Sequence, residues 1–162
     1  MISHIVNLNV ANAKAEQFYD FMINPNDEQY SKWWPKEHFQ CHITKRGDEN
    51  HLGDEVFFDE NIGETRRLAF HATVTKAERP YAIAWSMKKA GILLSAYLEL
   101  GLDDLSEGLA IRHELKIGYG GIPGKMLDPF IRIYFNKSFQ NALEKHCLTE
   151  WPKLALFLSS AE

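Results

Sequence analysis

His113 is the side chain in this sequence with the clearest capacity for chemistry. It shares a period-two apolar set with Ile111, Leu115 and Ile117 in a segment that reads as a strand, so it is expected to point into the interior. A neutral imidazole in that position orients a ligand hydroxyl or moves a proton near neutral pH. Its plainer role is that of a buried histidine hydrogen-bonded to a neighbour, because buried polar groups normally find partners. Glu60 continues the parity of Val56 and Phe58. In that register a carboxylate reaches the mouth of an apolar space, where a raised pKa suits it to acid–base work. The opposite register buries Phe57 and leaves Glu60 in water. Asp48, Glu49, Asp54, Glu55, Asp59 and Glu64 crowd the same stretch, which fits a charge-guarded edge strand more simply.

Three other clusters invite chemistry and are set aside on geometry. His38 and His42, with Glu37 and Cys41 beside or between them, have the i, i+4 spacing that chelates zinc from one face of a helix. Their segment reads as a strand, where the two would stand about 13 Å apart. No metal, and no other cofactor, is therefore expected. The glycine-rich residues 118–124 resemble a phosphate-binding loop only loosely, because that mechanism needs a helix N-terminus inside a parallel βαβ unit. No strand follows here, and no lysine–hydroxyl pair is present, so the stretch reads as a connection at a cavity mouth. Trp33-Trp34 fits either a lid or the packing that joins neighbouring elements.

The elements that must position these groups follow from periodicity. His4–Val10 alternates as a half-buried strand, and Asn12 is placed to cap a helix whose apolar stripe is Ala15, Phe18, Tyr19 and Met22. Asn24-Pro25-Asn26-Asp27 ends that helix and starts a shorter one running to Trp33-Trp34-Pro35. Six strands are then expected, at His38–Thr44, Glu55–Asn61, Arg66–Ala77, Tyr81–Lys88, Ile92–Leu102 and Leu109–Tyr119. Their connections are too short for parallel crossovers, so the strands must be antiparallel neighbours. Four of them offer one apolar face, through Phe70, Ala72 and Val74, then Ile83, Trp85 and Met87, then Leu94, Ala96, Leu98 and Leu100, then Ile111 to Ile117 around His113. One long helix, Leu127–Leu158, is left to cover that face. Its stripe includes Leu127, Phe130, Ile131, Tyr134, Phe135 and Phe139, and Pro152 should kink or restart it with Thr149 as cap.

Bulk properties narrow the partners. At 162 residues the chain is expected to be one domain, with a core sizeable enough to need neither disulfides nor metal. A net charge of −4 leaves no basic stripe for nucleic acid or anionic membrane. No apolar run approaches the length of a membrane span. No basic stretch and apolar core open the sequence, and Cys41 and Cys147 make no disulfide framework, so the chain reads as cytoplasmic.

Strand, two short helices, six strands and a long closing helix is an α+β element order that resembles the START-related helix-grip superfamily (SRPBCC) over essentially the whole length. Local likenesses are Val10-Ala11-Asn12-Ala13, Trp33-Trp34-Pro35, Arg79-Pro80 followed by Ile83-Ala84-Trp85, and the glycine-rich turn before the closing helix. The superfamily includes polyketide cyclases, lipid-transfer domains and plant pathogenesis-related allergens. The resemblance implies a seven-stranded curved antiparallel sheet wrapped around the C-terminal helix, with a cavity between them for a small hydrophobic or amphipathic molecule. Phe58, Phe70, Trp85 and Met87 read as ligand-facing or as plain core, with His113, Tyr119 and Tyr134 as groups that would orient a ligand. The alternative is a cofactor-free cyclase or dehydratase that uses His113, with Glu60, as acid and base.

Overall fold

Strict alternation over seven segments builds the sheet, and it does so nearly where periodicity places it. The computed structural model describes residues 1–62, 66–89, 92–119 and 121–160. In chain order it contains β1 (Ile2–Val10), α1 (Ala15–Ile23), α2 (Asp27–Trp33), β2 (His38–Lys45), β3 (Glu55–Ile62), β4 (Arg66–Glu78), β5 (Ala82–Lys89), β6 (Ile92–Leu105), β7 (Gly108–Ile117), α3 (Gly121–Tyr134) and α4 (Lys137–Ser159). The strands form one antiparallel sheet in the order β1-β7-β6-β5-β4-β3-β2, so the first strand returns to lie beside the last. Register shifts interrupt the ladders at Val74/Lys76, at Ser86/Lys88 and twice between β2 and β3. Bulges of this kind bend a strand and increase its twist, which helps to curve the sheet.

The expected inward faces are observed. Ala72, Val74, Ile83, Trp85, Leu100, Ile111, His113 and Leu115 are all buried. The Leu94 side chain lies outside the described residues. One expectation fails: β3 is not an edge strand, because it sits between β2 and β4. The charge-guarded edge offered for Glu60 therefore does not exist, and β1 and β2 are the strands left with a free side.

The helices depart from the sequence in instructive ways. Asn12 does not cap α1. It adopts a left-handed conformation at φ 55°, and the α1 N-terminus is satisfied by Asp104 of β6, whose Oδ1 accepts from the Ala15 amide at 2.9 Å. Asn26 does cap α2, accepting from the Gln29 amide at 2.9 Å. The closing helix breaks at Phe135-Asn136 rather than at Pro152. Asn136 serves both ends of the break: its Oδ1 accepts from the Phe139 amide at 3.0 Å, and its Nδ2 donates to the Ile133 carbonyl at 3.1 Å. Pro152 lies within α4. Thr149 donates to the Lys145 carbonyl at 2.9 Å, a bond inside the helix and not a cap.

The break divides the apolar stripe between two surfaces. In α4, Leu143, Cys147, Trp151, Leu154 and Ala155 are buried, and the helix packs against β1 and β3. In α3, Leu127 and Phe130 face outward with Ile122, Met126 and Ile133, Phe130 being 65% exposed. Among the described side chains of α3, Ile131 lines the hollow on the concave side of the sheet, as does Phe135 in the break. Among the described residues no helix is long and apolar enough to cross a membrane.

Because Asn136 closes two helix ends with one side chain, Asn136→Ala should lower stability by about 1 kcal/mol. Asn136→Asp, which keeps the acceptor for α4, should recover most of that loss. Urea denaturation of the three proteins measures both effects, and equal midpoints would remove the double cap from the account.

Candidate functional site

The curved sheet and α4 do not close on one another. Between them lies a hollow of about 760 Å³, within the range of small-molecule cavities. Most of its wall is apolar: Phe58, Phe70, Trp85, Leu98, Leu115 and Phe139 come from six different elements. Inward alternation explains this wall, since each contributing strand presents every second residue to the concave face.

Four of the lining polar groups gather at one end. Tyr30 of α2, Glu60 of β3, and His146 and Glu150 of α4 line the hollow there, with His38 of β2 behind them. The two β-residues meet because His38 and Glu60 are direct partners across the β2–β3 ladder. The two α-residues share a face because they are four positions apart on α4. One ligand-type atom from each of His38, Glu60, His146 and Glu150 lies within 4.8 Å of the other three.

Aromatic rings hold this end in place. Tyr30 stacks on His38 with centroids 4.2 Å apart, and Trp34 stacks on His146 at 4.8 Å. Trp33 packs edge-on to His38, and its indole N–H donates to the Glu150 backbone carbonyl at 3.3 Å. Trp33-Trp34 thus joins α2 to α4 and supports the site's imidazoles. The Tyr30 hydroxyl donates to Glu60 Oε2.

Electrostatics here are governed by loss of water. Burial pushes the carboxyls of Glu60 and Glu150 well above the usual carboxylate range, and the Glu150 charge raises Glu60 further. Burial also lowers His38 to about 4, against the opposing pull of Glu60 and Glu37. His146 is lowered in the same way, with Glu150 opposing. Two carboxyls that share a small volume with neutral imidazoles favour holding a proton between them.

His113 lines the hollow, in the surroundings of a buried histidine beside a polarisable neighbour. Its Nδ1 lies 3.5 Å from the Cys147 sulfur, and its ring packs on Trp151. Burial, with the nearby His146 and His4, lowers its pKa to about 3. The group is a neutral imidazole at physiological pH.

Phe58, Phe70, Trp85, Met87, His113 and Tyr119 all line the hollow, as does Glu60. Tyr119 sits where β7 gives way to α3 and is 46% exposed. The side chain of Tyr134 lies outside the described residues, as does Gly120 in the glycine-rich turn. His42 is not with His38: it turns to Asp27 at 2.8 Å. Sequence reasoning missed Tyr30, His146 and Glu150. The available signal was the His146–Glu150 spacing of four on a face otherwise made of Leu143, Cys147, Trp151 and Leu154, where two ionisable groups interrupt an apolar stripe.

No known protein-family profile matches the chain, and no curated protein matches it. Solved structures do. Ginseng major latex-like protein 151 from Panax ginseng superposes with a TM-score of 0.59 at 12% identity, over 90% of this chain and 96% of that one. A structural-genomics protein from Nitrosomonas europaea gives 0.58 at 11% identity, over 99% and 96%. The Aha1 protein of Colwellia psychrerythraea, solved as a dimer, gives 0.53 at 16% identity, over 89% and 97%. At these identities the likeness establishes the helix-grip fold and nothing finer.

The burial of His113 has a measurable consequence. An unfolded chain takes up a proton at this residue near 6.5, whereas the folded chain resists until about 3. Stability should therefore fall as pH drops through that window, since the unfolded state binds more protons there. The ring Cε1–H chemical shift of His113 should stay constant from pH 8 to pH 5, and a titration midpoint above 5 would contradict the burial.

Proposed function

We propose that this helix-grip chain binds a small amphipathic molecule, its apolar body between sheet and α4 and its polar end at Glu60, His146 and Glu150. The observation that carries this is the uneven polarity of the hollow: a mostly apolar space of about 760 Å³ whose wall includes Glu60, His146 and Glu150 clustered together. An occupant that hides about 300 Å² of apolar surface gains roughly 7 kcal/mol at ~25 cal/mol/Å². Association entropy subtracts several kcal/mol from that figure, so affinity in the micromolar range needs a few good polar contacts as well. A carboxyl pair holding one proton both donates and accepts, which suits a neutral hydroxyl-bearing head better than an anion.

A cofactor-free cyclase or dehydratase built on His113 is less well supported. With a pKa of about 3, His113 does not hold a proton at neutral pH and is a poor general acid there. Glu60 is the member of that pair whose environment favours proton transfer, because burial raises it toward neutrality.

Native mass spectrometry of freshly purified protein should reveal a retained small molecule or readily show a 1:1 complex with 1-decanol. In solution, 1-decanol should displace a neutral apolar fluorophore. Ala96→Phe and Leu98→Phe, which fill the hollow, should weaken binding by about tenfold or more with the circular dichroism unchanged. Phe130→Ser, on the outer side of α3, should leave it unaltered. Filled variants that bind as tightly as the parent would place the ligand elsewhere.

A further inference from the structure

We propose that His38, Glu60, His146 and Glu150 form a binding site for one divalent transition-metal ion at the polar end of the hollow. One cross-strand pair, His38 with Glu60, and one helix-face pair, His146 with Glu150, assemble the four groups. The spacing between groups is the first argument. His38 Nε2 is 3.4 Å from Glu150 Oε1, and His146 Nε2 is 3.7 Å from Glu150 Oε2. Both separations exceed an ordinary N–H···O bond. Neighbouring donors on one ion stand about 3.0–3.4 Å apart when each bond is ~2.0–2.1 Å; the His38 pair meets that spacing, and the His146 pair needs a closing shift of a few tenths of an ångström, with Glu150 offering one oxygen to each side. The outer limit of 4.8 Å among all four atoms is close to the ~4.2 Å between opposite donors of a six-coordinate ion.

The second argument is an unmet need. His38 is 1% exposed, and neither of its ring nitrogens makes a hydrogen bond of good geometry. A buried imidazole aimed at two carboxylates without bonding either is a costly arrangement unless something lies between them. Charge gives the third argument. Once an ion displaces the proton the pair shares, two carboxylates and two neutral imidazoles carry −2 together, which a dication cancels inside a low-dielectric wall.

The surroundings suit the task. Tyr30 bonds one Glu60 oxygen, Oε2, and leaves Oε1 to coordinate. Tyr30 and Trp34 fix the planes of the two imidazoles by stacking. Two nitrogen and two oxygen donors favour zinc, iron(II), cobalt(II) or manganese(II) over calcium or magnesium. Three of the four ligands line the hollow, so a further coordination position faces it, open to water or to an oxygen of the occupant. The site stands on these contacts alone, whatever fills the hollow.

Tag-free protein, stripped with a chelator, should bind cobalt(II) at a 1:1 ratio with visible d–d absorption, and zinc should displace the cobalt. Saturating zinc should raise the melting temperature by about 5 °C. Glu60→Gln and Glu150→Gln keep the shape and hydrogen-bonding capacity of the side chains, and each should weaken cobalt binding at least about tenfold while the amide NMR spectrum stays native-like. His146→Ala should do the same, and His71→Ala, outside the cluster, should have no effect. No binding at about 1 mM cobalt, or binding that both glutamine variants leave intact, overturns the proposal.

Discussion

Two carboxyl groups held beside an apolar hollow set the terms for everything around them. Glu60 and Glu150 approach from opposite layers, one from the sheet and one from α4, and burial disfavours a charge on either. An unpaired carboxylate in such a place costs several kcal/mol, so the chain must supply donors, protons or a cation. It supplies the Tyr30 hydroxyl and two imidazoles, each braced by an aromatic ring. Trp33 ties the backbone at Glu150 to α2, and His38 is fixed across the ladder from Glu60. Helix α2 thus buttresses this corner.

The hollow itself follows from curvature and from a helix that breaks. Protein interiors normally pack without voids larger than a water molecule, and cavities in them are destabilising. Here the bulged strands bend away while α4 stays close to β1 and β3, so side chains as large as Trp85 and Phe139 line the gap without filling it. Asn136 ends α3 and starts α4, which lets α3 leave the sheet and expose Ile122, Met126, Phe130 and Ile133. Well-packed ends around an open centre are what a binding fold requires. The ends provide the stability, and the centre provides the capacity.

Much of this was legible in the residues. Period-two alternation located all seven strands to within a few positions, and it chose the inward faces correctly because a one-residue slip would have put Trp85 and Leu100 in water. Glu60 was harder. Its two registers differ only in whether Phe57 or Phe58 is buried, and the surrounding acids suited an edge strand that β2 occupies instead. Pro152 is the stronger helix breaker by composition, yet α4 carries the proline, and the break falls at Asn136, which bonds both helix ends. His146 and Glu150 escaped notice because an apolar stripe draws attention to its apolar members. Their partners, His38 and Glu60, are more than eighty residues away, and only the folded chain brings them together.

The most direct measurement is a methyl NMR titration of the protein with a short neutral amphiphile such as 1-decanol. If the space between sheet and α4 is the binding site, shift changes should concentrate on Leu98, Leu100, Leu115, Ile117 and Leu143, which surround it. Changes confined to Ile122, Met126 and Ile133 on the outer side of α3 would show that the exposed helix, and not the hollow, takes up apolar molecules.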